Sequence, residues 1–210
     1  MRIAIIGAGN IGGTLGRKWA LAGHEVRFGV RNPVDSKFDS LCAVGKVTSV
    51  VEALDGADVV LLSMPGGVVA DFAEQHGAGL AGKIVIDSTN SIRNTYMNSL
   101  AVLKEKAPEA KLIRAFNALG WENFEVPLIN GVQIDLFYCG HVDSRTVTDQ
   151  LIADIGLRPI YIGDLDLAAV DELAEEQLLG ERLLDLLLDE PAHRAGAVEL
   201  VVAARGQPLT

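Results

Sequence analysis

An apolar run that leads directly into a glycine-rich turn opens the chain, and it constrains the fold more than any other feature. Ile3 to Ile6 predict a buried strand, and the six residues Gly7 to Gly12 match the pattern G-x-G-x-x-G. A helical pattern follows until Gly23, and Glu25 to Val30 predict a second strand. The apolar residues of the helical pattern lie on or near one face: Leu15, Trp19, Ala20 and Ala22. Strand, glycine turn, helix and strand together have the length of one βαβ unit.

Each glycine of this turn has a separate role in a dinucleotide-binding site. Gly7 permits the tight turn, Gly9 lets a pyrophosphate approach the backbone, and Gly12 lets the helix pack closely on the sheet. The free N–H groups around Asn10 and Ile11 then point at the phosphates, together with the helix dipole. We therefore predict that these five residues bind a dinucleotide. The alternative is a tight turn without a ligand.

The end of the second predicted strand indicates which dinucleotide is bound. NAD sites carry an acidic residue there for the ribose 2′-hydroxyl, whereas this chain has no acid at that place before Asp35. Arg31 can offer its guanidinium to a 2′-phosphate, and Asn32 and Lys37 can add donors. We therefore predict NADP(H) as the cofactor. In the alternative, Arg31 is a solvated loop residue.

The charge balance disfavours some classes of partner. The chain has 210 residues and a formal net charge of −10, which argues against nucleic acids and anionic membrane surfaces. No apolar run reaches the about 18 residues of a membrane helix, and the first strand begins near Arg2 without a visible leader. We therefore expect a cytoplasmic protein that acts on a small molecule.

The cysteines and histidines show no spacing typical of metal ligands. Cys42 and Cys139 lie far apart, and we expect both to be ordinary buried thiols in a reducing compartment. The four histidines are equally dispersed: His24, His76, His141 and His193. We predict no metal site.

Predicted strands and helices alternate from Pro33 to residue 162. After a polar stretch at 35–40, the pattern predicts strands at 46–48, 59–62, 83–86, 111–115, 134–139 and 158–162. It predicts helices at 41–44, 50–54, 68–75, 96–106 and 144–155. Such alternation implies right-handed crossovers and a mostly parallel sheet. We therefore predict an α/β fold in which residues 1–162 form a Rossmann-type, doubly wound NADP-binding domain.

Ser63, Met64 and Pro65 follow the predicted strand at 59–62. Ligands of doubly wound sheets lie at the carboxyl ends of the strands, so we predict that these residues line the pyrophosphate and the nicotinamide ribose. The alternative is a plain turn in which Pro65 starts a helix.

Two later strand ends carry further candidates. A polar cluster at 87–91 offers Thr89 and Asn90 as ligand contacts, unless its short side chains cap the following helix. The segment 116–124 is rich in aromatic residues and amides, so we predict a loop that shields a flat ring, with Asn117 bonding a carboxamide. In the alternative, its own aromatic side chains fold this loop onto the core.

The composition changes at Gly163 into a leucine-rich tail. Residues 166–189 predict a helix with a broad apolar face, Pro191 ends it, and residues 192–204 predict a second helix. The leucines are Leu173, Leu178, Leu179, Leu183, Leu184, Leu186, Leu187 and Leu188. Since surplus apolar surface is usually covered by a partner, we predict that the C-terminal helical segment 163–210 forms a homodimer interface, a wall of the acceptor site, or both. Alternatively, both helices fold back onto their own sheet.

These motifs resemble those of the NADPH-dependent reductases that include the coenzyme F420:NADP oxidoreductases, and they are similar to the cytosolic domain of the six-transmembrane metalloreductases. The resemblance covers residues 1–162. It rests on GAGNIGGTLG at 7–16, Arg31-Asn32-Pro33, SMP at 63–65 and AFNALGWENF at 115–124, the most specific of the four. The chain departs from the family pattern beyond Gly163 and at Val30, Arg114 and Ala118, where a small hydroxyl residue, Lys and Thr are common.

The resemblance implies hydride transfer between NADPH and a deazaflavin (coenzyme F420) or a flavin such as FMN. It implies phosphate contacts at residues 9–11, a 2′-phosphate contact by Arg31, and residues 63–65 on the ribose and nicotinamide side. It also places Asn117 and Ala118 near the nicotinamide. Such a step requires two rings within van der Waals reach in a dry cleft, and it requires no protein general acid. No catalytic residue is therefore predicted.

Two other functions remain open from the sequence. An NADPH-dependent reductase of a small imine or carbonyl compound would require a proton donor, and the nearby candidates are Ser88, Thr89 and Tyr96. A non-catalytic NADP(H)-binding redox sensor would bind both forms of the cofactor without turnover.

Overall fold

The computed structural model describes residues 1–91 and 97–168. Its strands are β1 (Arg2–Ile6), β2 (Glu25–Gly29), β3 (Lys46–Thr48), β4 (Val59–Leu62), β5 (Ile84–Asp87), β6 (Lys111–Arg114), β7 (Leu128–Ile129), β8 (Val132–Gln133), β9 (Asp135–Gly140) and β10 (Arg158–Gly163). Its α-helices are α1 (Asn10–Leu21), α2 (Asp39–Cys42), α3 (Val50–Leu54), α4 (Val69–His76), α5 (Leu100–Lys106), α6 (Trp121–Glu125) and α7 (Arg145–Asp154).

Eight of these strands form one sheet in the order β10-β9-β6-β5-β4-β1-β2-β3. Strands β1 to β6 are mutually parallel, whereas β9 is antiparallel to β6 and β10 is parallel to β9. Because β1 lies between β2 and β4, the chain leaves β1 in one direction and later returns on its other side. This arrangement confirms the predicted α/β fold with a mostly parallel, doubly wound sheet. The carboxyl ends of β1, β2, β4, β5 and β6 share one edge, called here the carboxyl edge.

The sheet separates two apolar layers. Ile3 and Ile5 of β1 belong to one layer, and Ala4 and Ile6 belong to the other, as the alternation of side chains along a strand requires. All four residues of β4 are buried, which is the expected pattern for a central parallel strand covered on both faces. The core therefore holds the carboxyl edge in place from both sides.

Helix α1 is fixed against α7 by two polar contacts. The Trp19 indole Nε1 donates to the Leu151 carbonyl oxygen over 2.9 Å, within a buried environment. His24 Nε2 lies 2.8 Å from Asp154 Oδ2, just beyond the C-terminal end of α1. These contacts set the direction of α1, and with it the place of its N-terminus at the carboxyl edge.

Some boundaries differ from the sequence predictions. The stretch at 35–40, expected as a polar connection, contains a 3₁₀ turn (Ser36–Phe38) and the start of α2 at Asp39. In the described part of the helix predicted at 96–106, which starts at residue 97, the helix begins at Leu100; the Asn98 carboxamide oxygen accepts from the Leu100 N–H, and Asp87 accepts from the Ser99 N–H. Side-chain acceptors of this kind satisfy N–H groups at the start of a helix, which agrees with a start at Leu100.

The segment 116–133 holds two elements that were not predicted. Part of the expected loop at 116–124 is helix α6. Strands β7 and β8 form a separate two-stranded hairpin, joined by Asn130 and Gly131 with φ of +52° and +82°. Asn-Gly is a strong hairpin signal, but the strands of two residues each were too short to stand out.

The prediction of two buried thiols was wrong for one of them. Cys139 is buried in β9, whereas Cys42 is exposed at the C-terminal end of α2. Helix α2 is four residues long and lies at the surface. Leu41 is its buried residue, and Cys42 next to it is not covered by the core.

Several predictions fall on residues outside the described ones, 92–96 and 169–210. They concern Tyr96, His193, Pro191, the eight leucines and nearly all of both tail helices. Up to residue 168 the chain continues as a 3₁₀ turn (Leu165–Leu167), and Leu165 and Ala168 are buried against the core. The domain boundary at 162/163 and the homodimer remain predictions.

Residues 1–91 and 97–168 contain neither a membrane-spanning helix nor a cluster of metal-binding side chains. None of their helices has the length and apolar character needed to cross a membrane. They also contain no group of three or more His, Cys, Asp or Glu side chains that could hold a metal ion.

Candidate cofactor site

The glycine turn between β1 and α1 is packed so closely that two of its positions admit no side chain. Gly7 has a φ of +101°, and a Cβ there would lie 2.8 Å from the Ser63 carbonyl oxygen. A Cβ on Gly12 would meet the Gly7 carbonyl oxygen and the Ser63 hydroxyl. Both residues therefore build the turn, and their contacts are with protein atoms.

Gly9, by contrast, borders open space. It is the N-cap residue of α1, its backbone is extended, and a Cβ built on it has no heavy atom within 4 Å. The first turn of α1 contains no acidic residue, and no side chain caps it. The first N–H groups of a helix have no intrahelical acceptor, and here they face this space with the positive end of the helix dipole. The residues present therefore fit the diphosphate of a dinucleotide.

Ser63 has a structural partner within the turn. Its hydroxyl donates to the Gly7 carbonyl oxygen over 2.6 Å, and its N–H donates to the Ile6 carbonyl oxygen over 3.0 Å. Met64 is half-buried, and Pro65 is exposed directly before the 3₁₀ turn Gly66–Val68 that leads into α4. The alternative interpretation, in which Pro65 starts a helical segment, describes this local structure correctly.

The segment after β2 presents exposed donors. Val30 is buried and its N–H donates to the Thr48 carbonyl oxygen, whereas Arg31 and Asn32 are exposed. Lys37 is engaged with Asp35, since its Nζ lies 2.9 Å from Asp35 Oδ2. The hydrogen bonds from Lys37 hold the pKa of Asp35 below its usual value, so this acid is ionised and its charge is balanced. Arg31 is thus the exposed cation that directly follows β2.

The polar cluster after β5 is organised around Asp87, which is fully buried. Asp87 Oδ1 accepts from the Thr89 N–H over 3.0 Å and from the Thr89 hydroxyl over 2.6 Å. The Ser88 hydroxyl donates to the Leu62 carbonyl oxygen, and the Ser99 N–H donates to Asp87 Oδ2. Thr89 is 2% exposed and its side chain is bonded within the loop, so its predicted contact with a ligand remains a prediction.

Arg114 joins this cluster to the segment after β6. Its side chain is fully buried, and its NH1 lies 3.5 Å from Asp87 Oδ2. NH1 also donates to the Thr89 carbonyl oxygen over 2.6 Å, and NH2 donates to Asn90 Oδ1 over 2.7 Å. The Asn90 amide in turn donates to the Asn117 carbonyl oxygen over 3.0 Å.

This ion pair was not predicted from the sequence, although the sequence contains a signal for it. Asp87 and Arg114 are each the last residue of an apolar strand, and the two are direct partners in the register of β5 and β6. Opposite charges at the ends of adjacent buried strands predict such a pair once the strand order is known.

Phe116 lies beside this network in an unusual backbone conformation. Its φ is +63° and its side chain is fully buried. A non-glycine residue in this region costs about 1–3 kcal/mol, which the surrounding packing must offset. The Phe116 ring makes edge contacts with Trp19 and Phe124, with centroid distances of 5.8 and 5.7 Å. For these two phenylalanines, the alternative of a segment folded onto the core by its own aromatic side chains is correct.

The fold thus brings most of the candidate residues to one edge. The glycine turn, residues 63–65, Asn90 and Asn117 lie at the carboxyl ends of β1, β4, β5 and β6, and Arg31 follows the adjacent β2. Asn117 is 6% exposed, and Ala118 beyond it is exposed. The described residues at 63–65, 88–90 and 116–118 include no Asp, Glu, His, Lys or Tyr. The carboxyl edge can therefore hold an extended anionic dinucleotide. Near the end of the site away from the glycine turn, few side chains can exchange protons.

The chain is similar to known oxidoreductases. Residues 2–91 match the family model described as NADP oxidoreductase, coenzyme F420-dependent. Among curated proteins, the chain is similar to a glycerol-3-phosphate dehydrogenase [NAD(P)+] of Pseudomonas fluorescens, with 26% identity over 125 residues, or 52% of this chain. The match spans only 37% of that dehydrogenase.

Solved structures share the fold. A proposed F420-dependent NADP-reductase from Arthrobacter sp. FB24 has a TM-score of 0.75 and 23% identity, with 89% of this chain and 94% of that chain covered. A hypothetical protein from Sinorhizobium meliloti is 30% identical with a TM-score of 0.65, covering 79% and 86%. An imine reductase of Streptomyces aurantiacus has a TM-score of 0.68 and 20% identity, covering 98% and 74%. The chain has the fold of NADP-dependent oxidoreductases.

Proposed function

We propose that the chain transfers a hydride between NADP(H) and a deazaflavin or flavin ring. The match of residues 2–91 to the family model described as NADP oxidoreductase, coenzyme F420-dependent, supports this proposal. The observation that carries the proposal is the open, uncapped N-terminus of α1 at Gly9, beside a turn that Ser63 holds closed. Bound there, NADPH supplies the hydride from its nicotinamide.

The residues of this chain bind and orient the cofactor. The backbone of Gly9, Asn10 and Ile11 binds the phosphates through N–H groups, while Gly7 and Gly12 give the turn its shape. Arg31 binds the 2′-phosphate, with Asn32 and Lys37 beside it as further donors. The exposed position of Arg31 and the balanced charge of Asp35 both support the choice of NADP(H) over NAD(H).

The nicotinamide half lies, in this proposal, between the turn at Met64 and Pro65 and the segment at Asn117 and Ala118. Asn90 contributes from the loop between them. These residues are apolar or carry amides, which suits the orientation of a carboxamide ring and the exclusion of water from it. They supply no strong acid or base, and hydride transfer between two rings requires none.

A panel of acceptors tests the proposed reaction. NADPH oxidation is followed at 340 nm with purified protein and coenzyme F420, FMN, riboflavin or no acceptor. The proposal expects turnover with the deazaflavin or with a free flavin, and none without an acceptor. Tight NADPH binding without turnover on any ring acceptor would overturn it and favour a redox sensor.

Reduction of a small imine is the second candidate, because the fold is shared with an imine reductase. Of the proton donors considered for it, Ser88 and Thr89 are buried and bonded inside the loop, and Tyr96 lies outside the described residues. A cyclic imine such as 1-pyrroline belongs in the same panel. Turnover with the imine, combined with its loss in Tyr96→Phe, would favour this candidate over the ring acceptors.

The leucine-rich tail enters the proposal as a dimer interface that also bounds the acceptor site. Its sequence supports this role, with eight leucines between residues 173 and 188. Sedimentation of the full chain and of a chain ending at residue 168 tests it. We expect a dimer and a monomer respectively, and a monomeric full chain would exclude the interface.

A further inference from the structure

We infer that Arg114 and Asp87 are positioning residues for the nicotinamide half of the cofactor site. The inference rests on the proposed function. The two buried charged side chains orient the segments that follow the strands, and they do not contact the ligand themselves.

The Arg114 guanidinium bonds to the end of β5 and to the loop after it. Its acceptors are the Asp87 carboxylate and carbonyl oxygen, the Thr89 carbonyl oxygen and Asn90 Oδ1. A planar fork of this kind fixes several directions at once, which an ammonium group cannot do. Arg114 therefore holds the backbone of residues 87–90 and the orientation of the Asn90 amide.

The hydrogen-bond network of Arg114 extends through Asn90 to two neighbouring strand ends. The Asn90 amide donates to the Asn117 carbonyl oxygen over 3.0 Å, and so also holds the segment after β6. It also borders the turn after β4, since a Cβ on Gly66 would lie 2.8 Å from the Asn90 carbonyl oxygen. Asn90, which Arg114 orients, thus joins its own loop after β5 to the segments after β4 and β6.

Stability alone is a weak explanation for this buried ion pair. Burying an ion pair removes two charges from water, and the attraction between them often does no more than offset that loss. Arg114 and Asp87 are both fully buried, so they touch no solvent-borne ligand directly. Beside them, Phe116 keeps its left-handed backbone between Ala115 and Asn117. A buried Arg114–Asp87 pair beside the strained backbone of Phe116 is better explained if the site requires these segments in one fixed arrangement.

The test separates the two halves of the cofactor. Dissociation constants for NADPH and for 2′,5′-ADP, which lacks the nicotinamide, are measured for wild type and Arg114→Lys. The lysine keeps the charge but not the fork, so we expect NADPH affinity to fall by about 10-fold while 2′,5′-ADP affinity changes by less than about two-fold. The fluorescence of bound NADPH should shift with it, since this emission reports the surroundings of the nicotinamide.

The matched control is Arg2→Lys, in an arginine that pairs with Asp58 at the amino-terminal end of β1, opposite the carboxyl edge. It should leave both affinities unchanged. Equal losses for NADPH and 2′,5′-ADP in Arg114→Lys, or no loss for either, would overturn the inference while leaving the proposed function intact. Failure of wild type to bind NADPH would overturn both.

A second variant keeps the test decisive if Arg114→Lys does not fold. Asn90→Ala keeps the buried ion pair and removes the link to Asn117. It should also lower NADPH affinity selectively, with 2′,5′-ADP affinity changed by less than about two-fold. Where Arg114→Lys does fold, combining the two changes should add little, because both break one chain of contacts. Fully additive losses of NADPH affinity in a folded double variant would mean that Asn90 acts independently of Arg114, and would overturn the inference. A folded Asn90→Ala with wild-type NADPH affinity would mean that these contacts do not position the cofactor.

Discussion

The Ser63 hydroxyl donates a 2.6 Å hydrogen bond to the carbonyl oxygen of Gly7, and so ties the end of β4 to the turn that follows β1. The two residues are 56 positions apart in sequence. Ser63 was predicted to line the cofactor, and its hydroxyl proton is committed to the turn itself. The contact explains how two adjacent strand ends form one rigid surface.

Ser63→Ala should therefore reduce stability as well as binding. The Gly7 carbonyl oxygen loses its partner, and we expect a loss of about 1 kcal/mol in the free energy of unfolding, measured by urea denaturation. NADPH affinity should fall with it. Ser36→Ala, at an exposed position of a surface turn, serves as the control. Unchanged stability in Ser63→Ala would show that this hydrogen bond does not hold the turn.

Two glycines of the turn should respond differently to alanine. Gly9→Ala fills open space, so its free energy of unfolding should stay within about 0.5 kcal/mol of wild type. Its methyl group would occupy the space proposed for the diphosphate, and NADPH affinity should fall sharply. Gly12→Ala forces a clash with the Gly7 backbone and should lose about 1–3 kcal/mol of stability. Thermal unfolding and calorimetric titration separate the two effects, and wild-type NADPH affinity in Gly9→Ala would exclude this phosphate site.

Arg31→Ala should act on one cofactor only. Losing hydrogen bonds to a charged phosphate should weaken NADPH binding by about 1–2 kcal/mol, less than for a buried group because Arg31 is exposed. NADH binding should change little. Lys111→Ala removes an equal charge from the opposite end of the sheet and should affect neither. Equal losses for NADPH and NADH would argue against the 2′-phosphate assignment.

Tyr138 should make stability sensitive to alkaline pH. Burial, followed by the hydrogen bond from its hydroxyl to Asp149 over 2.5 Å, raises the pKa of Tyr138 well above its ordinary value. The pKa of Tyr138 is higher in the folded protein than in the unfolded chain. The protonated hydroxyl therefore contributes its full stabilisation below the unfolded pKa of about 10, and this stabilisation is lost as the pH rises beyond that value. Melting temperatures should therefore fall above that pH.

Tyr138→Phe isolates this contribution. The variant should be about 1–2 kcal/mol less stable at neutral pH, because the hydrogen bond to a carboxylate is lost. It should also show a smaller decline in melting temperature between about pH 9.5 and 11 than wild type. Tyr161→Phe is the comparison, since that hydroxyl donates to the Gly140 carbonyl oxygen and is only half-buried. Identical alkaline declines in wild type and Tyr138→Phe would rule out this titration.

The regular part of the fold was accessible from the sequence because its signals are local. The strand, glycine turn and helix at the start of the chain, and the strands at 46–48 and 59–62, follow from apolar runs bounded by glycine or polar residues. The hairpin at 128–133 was missed because strands of two residues show no periodicity. The start of α5 was misplaced because Asp87, a residue distant in sequence, holds the Ser99 N–H.

The internal bonding of the site could not be read from the same patterns. Thr89 and Ser63 were chosen as polar residues at strand ends, but a one-dimensional pattern does not show that Asp87 and Gly7 already accept from their hydroxyl groups. The left-handed backbone of Phe116 has no sequence signal at all, because only its packing against Trp19 and Phe124 makes it tolerable. Strand order had to be known before the charges of Asp87 and Arg114 could be paired.

The most direct measurement is a titration of wild-type protein with NADPH and with NADH, side by side, at one ionic strength. The account predicts that NADPH binds at least about 10-fold more tightly, since hydrogen bonds from Arg31 to a charged 2′-phosphate are absent with NADH. Equal or tighter binding of NADH would contradict the central claim that this edge is built for NADP(H), and no binding of either would contradict the dinucleotide site itself.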